Sequence, residues 1–396
     1  MKAKLIISNI AFIVALFFMI GGGIYSIPGF ILIAAYLILL TFFFTKYVKR
    51  SFLNKHSALL YLFLFYVLLT SGFDINTCIS LFTTFLACIL LPVKQEIIGN
   101  NAKYVKIEKL FFFITIGIMM YYCYKSLLLL NENPMALRLL ISEEKDDTIV
   151  VGGGYALPYS MSLLCPFLLY GSQRIGEKLY KCAIYIVIAA GTLLVLRSLY
   201  TTALMIIFFG YLLVAMKKIS AKNRALVLLF GVIVLFSFIQ LLPHIANYFL
   251  NQDSNVVGRR LTEINNIINS TSGGDDDGDF TSRIKLTMSS IMTFLDNPIF
   301  GVGPSVHYDY FEMEKIGIGS HAQWFDIFAI YGIFALLLVS FLINAAKKIS
   351  NNNYSLILFI ILGFLNPVFS FTIVFTAFYI APLLNFLWPA NKHYDE

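Results

Sequence analysis

Arg197, Arg283 and His321 are the side chains of this sequence best suited to hold an anion and move a proton. Arginine offers a planar fork of donors that grips a carboxylate or phosphate in two places, and it never becomes neutral at working pH. It is therefore a good clamp and a poor base. Histidine titrates near neutrality, and its neutral imidazole can take a proton from a hydroxyl. Arg197 stands in Leu196-Arg197-Ser198-Leu199-Tyr200, between two long apolar runs with almost no loop, so its guanidinium belongs at or just inside a membrane interface. A charge held there is a functional candidate by default, the alternative being an anchor that snorkels to water. Lys125, near the end of an earlier run, divides evenly between the same two readings.

The neighbours of His321 and Arg283 suggest how each is held. Ser320 and Gln323 have the spacing of a capping box opening a helix, with Trp324 as a membrane-interface residue. His321 then falls in the first turn, where the helix dipole disfavours imidazolium and welcomes an anion; the alternative is a polar residue satisfied at the interface. Asp326, five positions on, is off that face, and no His/Asp dyad is expected. Upstream, Thr281 or Ser282 can cap a helix whose Ile284, Met288, Ile291, Met292 and Leu295 form one apolar stripe, with Arg283 in its first turn. Asp296-Asn297-Pro298 ends it, and Gly301-Val302-Gly303-Pro304 is a tight turn whose bare backbone can approach a ligand or another chain. Val306 in place of a third glycine rules out a dinucleotide-binding loop. Further upstream, Arg259 and Arg260 precede Leu261, Ile264, Ile267 and Ile268, which have the spacing of an amphipathic helix lying on a membrane. The acidic stretch from Gly273 to Asp279 fails as a calcium loop, because the register set by Gly278 puts Ile284 at the bidentate position. It reads as a solvated turn.

The elements that must position these residues are membrane helices. The 396 residues are 59% apolar and 13% charged, with a mean hydropathy of +0.80, and the apolar residues fall in runs long enough to cross a bilayer. We expect an all-α polytopic membrane protein with about 12 transmembrane helices. One large extracytoplasmic loop, 243–321, carries short amphipathic helices. The spans lie near 5–22, 24–45, 57–72, 75–93, 110–130, 155–171, 180–196, 198–216, 225–242, 322–344, 354–367 and 371–388. The first is read as uncleaved, because a second follows at once and no small-residue cleavage site stands out. Lysine and arginine gather in alternate loops, at Lys46 to Lys55, Lys94 to Lys109, Arg174 to Lys181, Lys217 to Arg224 and Lys347-Lys348, which the positive-inside rule makes cytoplasmic. The acids collect opposite, at 143–147, 275–279 and 309–314. The net charge of +7 is thus topology rather than a nucleic-acid footprint. On the outer face the bases are mostly arginine, a hint that an anion is held there. Charges gather at that interface and none is expected near the middle of the membrane; together with halves that are unlike, this argues against a transporter. The five cysteines all fall in spans and form no disulfide framework. No metal site and no cofactor is expected.

Arg197-Ser198 at the start of a span, a large outer loop, Thr281-Ser282-Arg283, Asn297-Pro298-Ile299-Phe300-Gly301-Val302-Gly303, His321, and a helix with Tyr331-Gly332-Ile333 follow one another in an order that resembles the O-antigen polymerase and ligase superfamily. The resemblance covers roughly 180–344. It implies three parts: N-terminal helices over 1–179, a polymerase- or ligase-like core over 180–344, and C-terminal helices over 345–396. It implies transfer of undecaprenyl-diphosphate-linked glycans on the outer face of the bacterial cytoplasmic membrane. Arg197, Arg283 and His321 are the positions that match, with Arg259 and Arg260 as further substrate-binding candidates; Ala322 stands where the family often has asparagine. A polymerase is favoured over a ligase, and a chain-length regulator protein is implied as a partner.

Overall fold

The computed structural model describes residues 1–22, 27–99, 101–133, 136–137, 155–198, 200–217, 279–304, 316–348 and 354–389, with isolated residues between 223 and 262. The expected span over 225–242, Arg259, Arg260, the helix over 261–268 and the acidic stretch before Asp279 lie outside the described residues.

Every described element is helical: α1 Lys2–Gly22, α2 Ile27–Phe52, α3 Lys55–Thr70, α4 Ile75–Ile98, α5 Ala102–Glu132, α6 Ala156–Gly171, α7 Lys178–Arg197, α8 Thr201–Lys217, α9 Asp279–Asp296, α10 Gln323–Tyr331, α11 Ala335–Lys348, α12 Tyr354–Leu365 and α13 Phe371–Leu387. A 3₁₀ turn, Gly332–Phe334, separates α10 from α11, and Thr376–Ile380 of α13 is π-helical. Among the described residues, six stretches are long and apolar enough to cross a membrane, and α3, α8, α12 and α13 are shorter apolar helices. The chain is a polytopic membrane protein. Asn54 and Asp74 cap α3 and α4 by accepting two backbone N–H groups each, which fixes the two ends of that hairpin.

Antiparallel neighbours put the basic loops at one end of the helices; the other we call the far end. The most enclosed elements are α6 and α13, whose side chains are almost all buried. Small residues allow the approach: a Cβ at Gly171 would meet a Leu384 methyl at 2.2 Å, and one at Gly210 would meet the Pro166 ring at 2.5 Å.

One finding overturns the sequence expectation for charge. Lys94, assigned to a basic loop, lies within α4, and Glu108 lies within α5; both are buried and pair at 3.3 Å. Asn9 of α1 donates to Glu108 Oε2 at 2.7 Å and accepts from Lys94 Nζ. The helices continue past the apolar run on which the span was drawn, to Ile98 and back to Ala102, and carry both charges into the bundle.

Candidate functional site

Helix α9 carries Arg283 and packs along α10. It begins at Asp279, two residues before the expected cap at Thr281, and ends at Asp296 as expected. Its stripe points the other way from a core stripe: Ile284, Met288, Met292 and Leu295 are each more than half exposed, while Ser290 and Thr293 are buried against the chain. The small polar face therefore makes the tertiary contact, and the apolar face, continued by Ile299 and Phe300, is left outward. In a membrane protein that is the arrangement of a helix lying in the interface.

The segment that carries His321 lies on this small face. A Cβ on Gly319 would meet the Leu286 carbonyl oxygen at 2.2 Å, and one on Gly317 would meet Thr293 Oγ1 at 2.3 Å. Thr293 Oγ1 donates to the Gly317 carbonyl at 2.7 Å, and the Gly319 N–H donates to Ser290 Oγ at 2.8 Å. Ser320 then takes a left-handed backbone, φ 53°, unusual for a residue with a side chain. The expected capping box does not form: α10 starts at Gln323 with Ala322 as N-cap, so His321 precedes the helix instead of lying in its first turn. Gln323 turns away and accepts the backbone N–H groups of Val368 and Phe369 at 3.0 and 3.1 Å. Asp326 supplies the contact in its place, accepting the Ala322 N–H at 3.1 Å and the Ser290 hydroxyl at 2.6 Å. Sequence reasoning considered this carboxylate only as a dyad partner for His321 and missed its bonds to Ala322 and Ser290; an acid in the first turn of a helix was the available signal.

The glycine turn also finds its partner within the chain. Val302 and Gly303 donate to the Ala329 and Ile330 carbonyls at 3.0 and 2.9 Å, and Ile333 donates to Pro298 at 2.9 Å. The turn is thus locked onto the α10–α11 break, beside Tyr66 of α3, whose hydroxyl bonds the Phe300 carbonyl and whose ring stacks on Phe334 at 4.1 Å.

Arg197 is the last residue of α7, exposed, with its Nη2 donating to Asn131 near the end of α5. It borders a cavity of about 320 Å³ lined by Tyr124, Leu127, Leu128, Asn131 and Leu193. Lys125 of α5 lies 5.9 Å from the Tyr121 ring. Arg283 and His321 thus share one unit, α9 with α10, and Arg197 belongs to another, α5 with α7. Contacts at the far end run between the two: Tyr200, just before α8, lies 5.8 Å from the Tyr159 ring, and Tyr159 donates to Asn366 Oδ1 at 2.9 Å. Asn366 lies two residues before Val368, which Gln323 holds.

Trp324 donates to the Ile360 carbonyl at 2.8 Å and rests on Phe359, Phe364 and Phe369. Together with Phe325, Phe328, Leu342, Ile343 and Ile360 it lines an apolar cavity of about 380 Å³ between α10, α11 and α12, one wall of which is the helix that follows His321.

The two arginines thus stand on separate helices, His321 on a pinned segment, and an apolar cavity lies beside the helix that follows it. No curated protein and no solved structure matches this chain. Residues 183–340 match the family model described as O-Antigen ligase, a stretch that runs from α7 into α11 and includes Arg197, Arg283 and His321. That segment belongs to the superfamily of O-antigen ligases and polymerases, whose members are membrane transferases of lipid-linked glycans.

Proposed function

We propose that this protein is a surface-polysaccharide (O-antigen) polymerase of the bacterial cytoplasmic membrane, joining undecaprenyl-diphosphate-linked repeat units at its outer face. The observation that carries the reading is the packing of α9, with Arg283, against the segment holding His321, inside the matched stretch. The far end is then the outer face and the basic loops are cytoplasmic, following the positive-inside rule. The helices number about 12 when the stretch over 225–242 is included.

A glycan on a lipid diphosphate brings its own leaving group, so the work left is to hold the diphosphate, activate one hydroxyl and align it with the anomeric carbon. The acceptor oxygen attacks the anomeric carbon as the bond from that carbon to the diphosphate oxygen breaks. The hydroxyl proton passes to His321, and Arg197 and Arg283 take up the charge that develops on the diphosphate. One displacement inverts the anomeric centre, and neither metal nor cofactor takes part. Arg259 and Arg260 add positive charge in the same loop. The exposed apolar face of α9 suits a substrate that arrives in the plane of the bilayer, and the apolar cavity beside Trp324 offers its chain a wall to rest on. A chain-length regulator would act on this outer face.

The description of the matched family favours a second reading, a ligase that hands the finished glycan to lipid A core. Deleting the gene in its host and resolving the surface polysaccharide on a gel separates them. Core carrying a single repeat unit means polymerase, and bare core means ligase or, where lipid-linked glycan accumulates on the inner face, flippase. An unchanged ladder refutes the assignment. In complementation, Arg197→Ala, Arg283→Ala and His321→Ala proteins that fold are expected to lose long polymer; full length with all three refutes this site.

A further inference from the structure

We infer that Asp326 is a positioning residue for the transfer reaction, acting with Ser290 to set His321 and Arg283 in one register; the inference rests on the site proposed above. The His321 segment is pinned on both sides. Two residues before the histidine, the Gly319 N–H donates to Ser290 Oγ at 2.8 Å; one residue after it, the Ala322 N–H donates to Asp326 Oδ2 at 3.1 Å. The two pins are joined, because the Ser290 hydroxyl donates to Asp326 Oδ1 at 2.6 Å. One carboxylate thus bonds, directly or through one hydroxyl, both flanks of His321 and the helix that carries Arg283. Ser290 and Asp326 are 0% and 4% exposed, so water does not compete for these bonds.

Three further observations make the clamp specific. Arg283 lies seven residues before Ser290 on α9, two helical turns, and so projects from the same face. Gly319 lies flush on α9, with no room for a Cβ beside Leu286. Between the pins Ser320 is held in the left-handed region, a conformation that persists where its surroundings over-determine it. Asp326 thus bonds the backbone on one side of His321 directly and on the other side through the Ser290 hydroxyl.

The test uses the full-length protein in nanodiscs with an undecaprenyl-diphosphate-linked oligosaccharide as donor. Asp326→Ala is expected to lower kcat about 100-fold, the scale of a 1 Å misplacement, and to move KM for the donor less than about threefold. Ser290→Ala, a mild change on a helix, is expected to give about a tenfold loss and guards against an Asp326→Ala protein that does not fold. Asp326→Asn keeps an acceptor for Ala322 and a partner for Ser290, and is expected to restore most of kcat. The double substitution Ser290→Ala/Asp326→Ala should be no worse than Asp326→Ala alone, because both break one unit. Losses that multiply, or folded single variants with normal kcat, overturn the clamp. The acid limb of the kcat profile separates it from a His/Asp dyad: the limb keeps its place in Asp326→Asn if Asp326 positions the segment, and moves to lower pH if Asp326 charges the imidazole, which also overturns the inference. A wild-type protein that transfers no glycan would instead refute the proposed function.

Discussion

Removing one member of the buried Lys94–Glu108 pair should destabilise the protein more than removing both. At 3.3 Å, two unit charges in a medium of effective dielectric constant about 20 attract by about 5 kcal/mol. The side chains are 1% and 3% exposed, so salt and water screen this little. Glu108→Gln keeps the shape and an acceptor for Asn9 but leaves the Lys94 ammonium unpaired among α1, α4 and α5, and should cost about 3–5 kcal/mol. Lys94→Met/Glu108→Gln removes the stranded charge and should recover most of that loss, since a buried pair repays little more than its own desolvation. Lys94 lies four residues before the end of α4, about 6 Å from the basic end, whereas the candidate site is at the far end. Whatever folds should therefore keep its transfer kinetics. Denaturant titration of the purified protein in detergent, with near-ultraviolet circular dichroism as the readout, measures the three stabilities. A Glu108→Gln protein within about 0.5 kcal/mol of wild type, or a double variant no more stable than Glu108→Gln alone, would refute the reasoning.

Three other outcomes follow from the geometry. Gly332→Ala should release the glycine turn from the α10–α11 break, because φ is +54° and a Cβ would meet the Ile299 carbonyl oxygen at 2.4 Å; thermal unfolding should fall well below wild type, while Gly117→Ala, whose Cβ meets nothing within 4 Å, should not. Nitroxide labels at Met288 and Leu295, on the outward face of α9, should be relaxed by oxygen dissolved in lipid more than by an aqueous nickel reagent, and the reverse ranking would remove α9 from the interface. The Lys109 ammonium, 3.0 Å from Glu177, holds that carboxyl below its ordinary range, with help from the Trp388 indole at 3.2 Å. A carboxyl so depressed stabilises the fold above its unfolded pKa of about 4.3 and loses that contribution as the pH falls through its folded value. Glu177 is 48% exposed, so the amount is below about 1 kcal/mol, and Glu177→Gln should flatten the acid side of the stability profile only slightly.

The membrane class and the helix positions could be read in the sequence because apolar length is a one-dimensional property. Each expected span but the one over 225–242 falls on described helix, the one over 322–344 being divided between α10 and α11. The end of α9 was legible for a similar reason: Asp296-Asn297-Pro298 is local chemistry. What the sequence hid was direction and partnership. The stripe on α9 has the same period whether it faces a core or lipid, and only its neighbours show that Ser290 and Thr293 turn inward. Ser320 and Gln323 had the spacing of a capping box, but Gln323 was taken by Val368 and Phe369, more than forty residues away in sequence, and Asp326 took over the start of the helix. Lys94 and Glu108 sit beyond the edges of their apolar runs, so counting hydrophobic residues left them outside the spans that contain them.

These corrections bear on how the site is built. A histidine in the first turn of a long membrane helix would need only that helix to hold it. Here the helix after His321 is nine residues long and breaks at Gly332, which accommodates the Ile299 carbonyl oxygen where a Cβ would clash. The orientation of α10 is therefore set by what it touches: α12 through Trp324, the approach to α13 through Gln323, α9 through Asp326, and the glycine turn through Ala329 and Ile330. The segment before it is bonded by side chains from α9 and α10, Thr293, Ser290 and Asp326. A site assembled from such cross-bonds transmits a change in any of four neighbours to His321, whereas Arg197, at the end of a full-length span and bonded to α5, is held by the span itself. In the site we propose, Arg197 is therefore held by one span and its bond to α5, and Arg283 and His321 by the bonds that join α9, α10 and the segment between them.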